Sequence, residues 1–171
     1  MNEITIRRAS PMDASAIWHI YCHYVRNTAI SFEITLPTVE QMEQRIQKVL
    51  AAFPYLVAEF QGQVVGYAYA GPFIPREAYA HCAEVSIYIS QENHRNGIGK
   101  RLYEELMAQL RTQGITQIYA CIGVPEIEDE YLTNNSAQFH AHMGFREVGR
   151  FRNSGKKFGR FYHMIWMEKL I

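Results

Sequence analysis

The 171-residue chain has few cysteines, no net charge and no long apolar run. Cys22, Cys82 and Cys121 are odd in number and form no C-x-x-C pair, which argues against a disulfide framework and against a zinc site. Seventeen basic and seventeen acidic side chains balance, so the dense basic surface that nucleic acids require is not expected. No stretch approaches the ~20 apolar residues that span a bilayer, and the first residues lack a signal-peptide core. We therefore expect a cytoplasmic protein without nucleic-acid or membrane partners.

The rest of the composition is typical of one soluble globular domain, and we treat residues 1–171 as a single domain. Hydrophobic residues make up 48% of the chain and charged residues 20%. The length allows a sizeable core, and no linker, repeat or low-complexity segment divides the sequence. Eleven residues are tyrosines, which suit a pocket that is apolar but also forms hydrogen bonds.

Hydrophobic periodicity predicts strands and helices in the order β-α-α-β-β-β-α-β-α-β-β. The predicted strands cover residues 3–8, 55–60, 63–70, 84–90, 115–122, 145–152 and 158–168. The predicted helices run from Ser10 to about Val25, from a capping box at Thr38 to a stop at Pro54, over residues 98–113, and through a short segment before Gly144. An α/β fold with a mixed sheet and helices on both faces follows from this order.

The most informative segment covers residues 92–102, between a predicted strand and a predicted helix. It contains Gly97 and Gly99, one residue apart, followed by Lys100. Glycines let the backbone approach a ligand closely, and the first amides of a helix have no internal partner, so such a turn binds phosphate. The segment therefore predicts a site for a phosphate-bearing cofactor.

The spacing of this segment excludes two common phosphate-binding motifs. A Walker loop needs Ser or Thr after its lysine, where this chain has Arg101, and a dinucleotide fingerprint needs a third glycine, where it has Leu102. The order strand, (Gln/Arg)-x-x-Gly-x-(Gly/Ala), helix instead resembles the signature of the GNAT N-acetyltransferases, which bind acetyl-CoA. His94 occupies the usual Gln or Arg position.

A second block, residues 134–145, resembles the later family motif Ser-x-x-(Phe/Leu)-(Tyr/His)-x-x-x-Gly-Phe. Asn135 or Ser136 is expected to cap a short helix, and Gly144 to end it. His140 falls at the position where many members of the family have Tyr. The resemblance covers nearly the whole chain and implies the GNAT fold, with a mostly antiparallel central sheet.

Residues 83–89 resemble the corresponding strand of the phosphinothricin acetyltransferase branch, in which a Glu at the position of Glu84 is the proposed catalytic base. Glu84, Ser86 and Tyr88 share one face of the strand, which we expect to line a cleft. A surface Glu at a strand edge is the alternative. The second predicted catalytic residue is His140, either as a proton donor to the thiolate or as a contact of the cofactor alone.

The resemblance also implies the residues that hold the cofactor. Backbone amides of residues 87–89 are expected to bind the thioester carbonyl and the pantetheine arm. The predicted cofactor-binding residues are Ile87, Tyr88, Ile89, His94, Arg95, Asn96, Gly97, Ile98, Gly99, Lys100, Asn135 and Ser136.

Two segments, residues 27–33 and 73–79, resemble the substrate loops of the same branch. They give the predicted substrate-binding residues Phe32, Glu33, Arg76 and Tyr79, of which Arg76 is suited to clamp a carboxylate. The chain departs from the branch at Lys156, at His163 and in an acidic insertion at residues 126–130. These departures leave the identity of the acceptor open.

The sequence thus predicts an acetyl-CoA-dependent N-acetyltransferase that acts on the primary amine of a small molecule, an amino acid or an analogue such as phosphinothricin or methionine sulfoximine, by direct attack in a ternary complex. Two alternatives remain, a protein or peptide N-acetyltransferase and a non-catalytic CoA-binding sensor. The family resemblance implies a homodimer. No metal is expected, because His19 and His23, four residues apart, have no third ligand nearby in the sequence.

Overall fold

In the computed structural model, residues 4–94 and 97–171 are described, and they form seven strands and four α-helices. The strands are β1 (Thr5–Arg8), β2 (Tyr55–Phe60), β3 (Gln63–Pro72), β4 (Cys82–Ile89), β5 (Gln117–Val124), β6 (Arg146–Lys157) and β7 (Arg160–Leu170). The helices are α1 (Ala14–Asn27), α2 (Val39–Leu50), α3 (Ile98–Thr112) and α4 (Asn135–His142). The predicted order of the elements is confirmed.

The strands form one sheet in the order β1-β2-β3-β4-β5-β7-β6. Neighbouring strands of this sheet pair antiparallel, except for β4 and β5, which pair parallel. The expectation of a mixed, mostly antiparallel sheet is therefore confirmed. Among the described residues, no helix is long and apolar enough to cross a membrane.

Helices cover both faces of the sheet. Alternate residues of each strand point to opposite faces, so each strand contributes side chains to a core on either side. Leu56 of β2 packs into one core cluster with α3, whereas its neighbours Tyr55 and Val57 pack into a second cluster with α1 and α2. On α3, the predicted stripe of leucines at four-residue steps is buried without exception. Its members are Leu102, Leu106 and Leu110.

Several predicted boundaries were wrong by a few residues. The first helix begins as a single 3-10 turn, Pro11–Asp13, and α1 continues to Asn27. The strand predicted to stop at residue 152 runs to Lys157, because Asn153, at φ 51°, forms part of an irregularity within β6 and not a turn. The turn between β6 and β7 lies at Phe158 and Gly159, whose φ angles of 52° and 74° suit a two-residue hairpin.

The predicted cap of α4 was also wrong. Because the helix begins at Asn135, neither Asn135 nor Ser136 occupies the capping position, and the side chain of Asn134 forms no capping hydrogen bond. The Glu128 carboxylate accepts a hydrogen bond from the Asn134 amide at 2.8 Å, and the Thr133 hydroxyl lies 3.4 Å from the Asn135 amide. A carboxylate of the acidic insertion therefore replaces the expected local cap.

The leucine stripe of α3 provides a test of the core. Leu106→Ala removes a fully buried side chain and should lower the free energy of unfolding by about 2–5 kcal/mol, as measured by urea denaturation. Leu170→Ala, at an exposed position of β7, is the matched control and should change it by less than about 0.5 kcal/mol. Equal effects of the two substitutions would contradict the burial of α3 against the sheet.

Candidate active site

The parallel strands β4 and β5 separate after a short paired region. In the paired region Cys82 lies opposite Gln117, Ala83 opposite Ile118 and Glu84 opposite Tyr119. Beyond Glu84 a narrow cleft of about 50 Å³ opens between residues 85–88 of β4 and 120–123 of β5. Side chains from the α1–α2 loop, α3 and α4 complete its walls, namely Ile30, Tyr103, Ser136 and His140. The polar strand face that the sequence predicted thus stands beside a cleft.

The separation leaves one peptide group of β4 turned toward the cleft. The Ser90 amide donates to the Val65 carbonyl of β3 at 2.8 Å, so by alternation the peptide groups of Ile87 and Ile89 face the β5 side. The Tyr24 hydroxyl forms hydrogen bonds with both backbone groups of Ile89. It donates to the Ile89 carbonyl at 2.5 Å and accepts from the Ile89 amide at 3.3 Å. Ile87 is therefore the residue whose N–H faces the cleft.

Glu84 lies at the last paired position of β4, opposite Tyr119, and is half-buried. Burial raises the pKa of its carboxyl group above the ordinary value. A carboxylate with a raised pKa is a better general base than an exposed one. Its side chain shares a sheet face with Ser86 and Tyr88, as predicted.

His140 is buried in α4 and has both ring nitrogens engaged. Its Nδ1 donates to the Ser136 carbonyl at 2.7 Å, because a carbonyl can only accept, so Nε2 accepts from the Tyr103 hydroxyl at 2.9 Å. Burial lowers the pKa of His140 to about 4 and raises the pKa of Tyr103. Both groups are neutral near neutral pH. Sequence reasoning missed Tyr103, since its position beside the leucine stripe of α3 indicated only core packing.

The start of α3 has the geometry expected of a phosphate-binding turn. Gly97 precedes the helix with φ 73°, and the Arg101 amide donates to its carbonyl at 3.2 Å. The amides of Ile98, Gly99 and Lys100 therefore precede the first helical hydrogen bond and have no acceptor within the helix. The predicted residues Arg95 and Asn96 lie outside the described residues.

Gly99 serves a different purpose from Gly97. A Cβ atom at Gly99 would lie 3.1 Å from the ring of Phe139, so this glycine allows α4 to pack closely against the first turn of α3. Lys100 is exposed and forms an ion pair with Glu104 at 3.8 Å. The side chain of Ile98 is buried in the core, so only its backbone faces outward.

The remaining predicted cofactor residues are only partly brought together. Ser136 lines the cleft, whereas Asn135 is exposed at the first position of α4. Tyr88 lines the cleft, and its ring centroid lies 5.0 Å from that of Tyr24. The Nε2 atom of His94 lies 3.0 Å from the Ile89 carbonyl, so this imidazole supports the end of β4.

Of the two predicted substrate residues in the α1–α2 loop, Phe32 lies beside the cleft. A Cβ atom at Gly155 would approach its ring to 2.6 Å, and one at Gly123 to 3.1 Å, so two glycines make room for this ring. The carboxylate of Glu33 instead accepts two hydrogen bonds from Arg45, at 2.6 and 3.0 Å. Glu33 therefore fastens the loop to α2.

The second predicted substrate loop lies near the end of the β4–β5 pairing. Tyr79 packs its ring edge-on against Phe73, which stacks on Tyr119 with ring centroids 3.9 Å apart. Tyr119 is the β5 partner of Glu84, so this loop borders the candidate base. Arg76 is exposed at the start of the short 3-10 helix Glu77–Tyr79.

Two departures from the family pattern prove to be one contact. His163 of β7 is buried, and its Nδ1 accepts from the Asn153 amide at 2.9 Å. Its Nε2 therefore donates to the carboxylate of Glu126, in the acidic insertion, at 2.5 Å. In residues 4–94 and 97–171 no cluster of three potential metal ligands occurs.

The buried imidazole makes stability dependent on pH. Because the pKa of His140 is about 4 in the fold and about 6.5 in the unfolded chain, the unfolded chain binds the extra proton between these values. The stabilisation is fully present above pH 6.5 and is lost as the pH falls, by about 2 kcal/mol between about pH 7 and pH 5. In urea denaturation, His140→Asn should remove this part of the dependence. His142→Asn, on the exposed side of the same helix, should retain it, and an identical slope in both variants would contradict the burial of a neutral His140.

Comparison with known proteins agrees with this geometry. The family model described as "Acetyltransferase (GNAT) domain" matches residues 6–166. A phosphinothricin N-acetyltransferase from Alcaligenes faecalis is 36% identical over 166 residues, which cover 96% of this chain and 81% of that relative.

Two solved structures superpose on nearly the whole chain. A phosphinothricin acetyltransferase from Sinorhizobium meliloti in complex with acetyl-CoA has a TM-score of 0.88 and 33% identity, and covers 98% of this chain and 88% of that one. A ribosomal-protein-alanine N-acetyltransferase from Brucella melitensis has a TM-score of 0.88 and 34% identity. The match covers 98% of this chain and 99% of that one. With a family model that matches nearly all of its length and relatives above 30% identity, this chain belongs to the GNAT acetyltransferase family.

Proposed function

We propose that this protein transfers an acetyl group from acetyl-CoA to the primary amine of a small amino acid or amino-acid analogue, by direct attack in a ternary complex. The observation that carries the proposal is the position of two groups on one short stretch of β4, where its pairing with β5 ends. The half-buried carboxylate of Glu84 ends the β4–β5 pairing, and the N–H of Ile87 faces the cleft that begins there. A base and a hydrogen-bond donor at one cleft are what aminolysis of a thioester requires.

The cofactor side fits the backbone of α3. The amides of Ile98, Gly99 and Lys100 are free to bind a diphosphate, and the positive end of the helix dipole lies behind them. Gly97 presents no side chain there, and among the described residues a Cβ added to it would meet nothing within 4 Å. When bound, acetyl-CoA supplies the activated acetyl thioester. We assign the remaining contacts of its pantetheine arm to Ile87, Tyr88, Ile89, His94, Asn135 and Ser136.

Glu84 takes the proton from the acceptor ammonium, directly or through a water, and so frees the nitrogen lone pair. The Ile87 N–H donates to the carbonyl oxygen as negative charge develops on it. A C–N bond forms, the nitrogen loses its second proton, and the thioester C–S bond breaks. The sulfur leaves as a thiolate that takes up this proton. The narrow cleft holds the two reactants in contact, which supplies much of the rate.

His140 orients a neighbour in this scheme and does not donate the proton itself. With a pKa of about 4, its imidazolium form is scarce near neutral pH. Its Nε2 accepts from the Tyr103 hydroxyl, and both groups line the cleft. We assign His140 the role of holding this hydroxyl toward the cofactor.

On the acceptor side we assign Arg76 to the carboxylate of the substrate, because this exposed residue belongs to the loop that borders Glu84. Phe32 and Tyr79 flank the amine, while Glu33 shapes the loop through Arg45. The relatives named as phosphinothricin and methionine sulfoximine acetyltransferases support an amino-acid-like acceptor.

One relative named as a ribosomal-protein-alanine N-acetyltransferase makes a peptide acceptor the second candidate. The rim of the cleft favours a small molecule. The Ala29 amide donates to the Tyr131 carbonyl at 2.9 Å, and the buried Lys157 ammonium donates to the Ser31 carbonyl at 2.7 Å. The α1–α2 loop is thereby bound to β6 and to Tyr131, the residue after the acidic insertion, which narrows the entrance that a peptide would need.

We further propose that the protein is a cytoplasmic homodimer. The family resemblance implies the dimer, and the edge strand β6 with its hairpin partner β7 supports it by exposing apolar side chains, namely Val148, Phe151 and Phe161. Light scattering coupled to gel filtration tests the dimer.

Glu84→Gln tests the catalytic base and separates an enzyme from a CoA-binding sensor. Removal of a general base should lower kcat by about 100-fold or more in a thiol-release assay, with CoA affinity in calorimetry unchanged. Because burial raises the pKa of Glu84, activity should also fall on acidification at a higher pH than an ordinary carboxylate would give. Glu105→Gln, an exposed position on α3, is the control and should match the parent. Full turnover by Glu84→Gln would remove this residue from the mechanism.

Gly97→Trp tests the cofactor turn. A bulky side chain at φ 73° should place an indole over the free amides of α3 and weaken acetyl-CoA binding by at least about 100-fold in calorimetry. Gly114→Trp is the matched control, since Gly114 also has a positive φ, of 82°, and open space around it, but lies at the other end of α3. Tight binding by Gly97→Trp would show that the diphosphate lies elsewhere.

A further inference from the structure

A second cavity, of about 440 Å³, lies between α2 and the β2–β3 hairpin. This volume is in the range of small-molecule sites. Met42 and Val49 of α2 form one wall, and Tyr55, Tyr67 and Tyr69 of the hairpin form the other. The contacts assigned above for the cofactor and for the acceptor amine and carboxylate leave this space without a role.

The hairpin wall consists of stacked phenol rings. The ring centroid of Tyr55 lies 4.9 Å from that of Tyr69 and 5.9 Å from that of Tyr67, with interplanar angles of 18° and 21°. Such a surface is suited to a flat aromatic group, which packs offset against other rings.

Two of these tyrosines carry polar groups that are directed into the cavity. Tyr55 and Tyr67 are each only 2% exposed. Within residues 4–94 and 97–171 neither hydroxyl has a hydrogen-bond partner. In the same residues, every side-chain oxygen that is fully shielded from solvent does have a partner. The hydroxyl of each side chain therefore keeps some accessible surface, and both residues line the cavity. A ligand that fills this space gains from a polar ring substituent that can pair with them.

Two cationic side chains, Arg45 and Lys48, also line the cavity, and both are exposed. Arg45 is already paired with Glu33. The buried lining is aromatic and aliphatic, and this favours an uncharged side chain of the ligand over a phosphinate or a carboxylate.

Gly71 connects this cavity to the candidate base. It lines the cavity and pairs across the sheet with Glu84, and residues paired in this way point to the same face. A Cβ atom added at Gly71 would meet nothing within 4 Å, and its φ lies outside the left-handed region. The backbone therefore does not require glycine here. The missing side chain leaves space over Gly71, between its cross-strand partner Glu84 and Tyr69, two residues away on the same face of β3. A path from Glu84 to the stacked tyrosines runs over this space.

We propose that this cavity receives the side chain of the acceptor, and that the acceptor is an aromatic amino acid with a polar ring substituent, as in tyrosine. The proposal rests on the proposed function, because it is Glu84 that fixes the position of the amine. With the α-amino group at Glu84, the side chain passes over Gly71, its ring lies along the phenol stack, and its hydroxyl pairs with those of Tyr55 and Tyr67.

The experiment compares kcat/KM for L-tyrosine, L-phenylalanine and L-alanine in the thiol-release assay. The parent enzyme should prefer tyrosine to alanine by at least about tenfold, with phenylalanine in between. Gly71→Val should lower the tyrosine-to-alanine ratio by at least about tenfold, because two methyl groups block the path. Tyr55→Phe should lower the tyrosine-to-phenylalanine ratio several-fold.

Gly149→Val is the matched control. Gly149 is also a strand glycine without a positive φ, and a Cβ added to it meets nothing within 4 Å, but it lies on β6. Its ratios should equal those of the parent. Calorimetry with CoA checks that each variant is folded. Should Gly71→Val not fold, Val49→Phe fills the same cavity from α2 and should have the same effect on the tyrosine-to-alanine ratio.

The outcomes separate this inference from the proposed function. Acetylation of alanine without a preference for aromatic acceptors overturns the role of the cavity and leaves the acetyltransferase intact, as does an equal loss for all acceptors in Gly71→Val. Absence of thiol release with every amine, in a protein that still binds CoA, overturns the proposed function and this inference with it.

Discussion

The parallel pairing of β4 with β5 lasts for three residue pairs and then ends. A strand that loses its partner exposes peptide groups that must be bonded elsewhere or face a ligand. Tyr24 of α1 bonds to the peptide group of Ile89 through its hydroxyl, and Ile87 is left facing the cleft. The candidate base, the candidate amide donor and the free amides of α3 all lie along the strand that ends this pairing and the turn that follows it.

Local patterns were sufficient to predict most of the architecture. The stripe of leucines on α3, the capping box at Thr38 and the alternation along β4 each depend on residues a few positions apart, and each is present as expected. The turn at Gly97 was recognisable for the same reason, since a glycine before a helix has a purely local meaning.

Contacts between distant segments could not be predicted. The bond between Tyr103 and His140 joins residues 37 positions apart, and burial of this imidazole lowers its pKa, so that an apparent acid is a neutral acceptor. His163 and Glu126 are also 37 positions apart. In the sequence they are two unrelated departures from the family, whereas in the fold they form one hydrogen bond. Turn-like residues were misleading where tertiary pairing overrode them, as at Asn153 within β6.

The seating of Phe32 has an evolutionary consequence. Its ring occupies the space left by the missing side chains of Gly123 and Gly155, so three segments far apart in the chain share one volume. A larger residue at either glycine displaces the ring, and a smaller residue at position 32 leaves a void. Changes at these three positions should therefore arise as paired substitutions, in which the second restores the fit that the first disturbed.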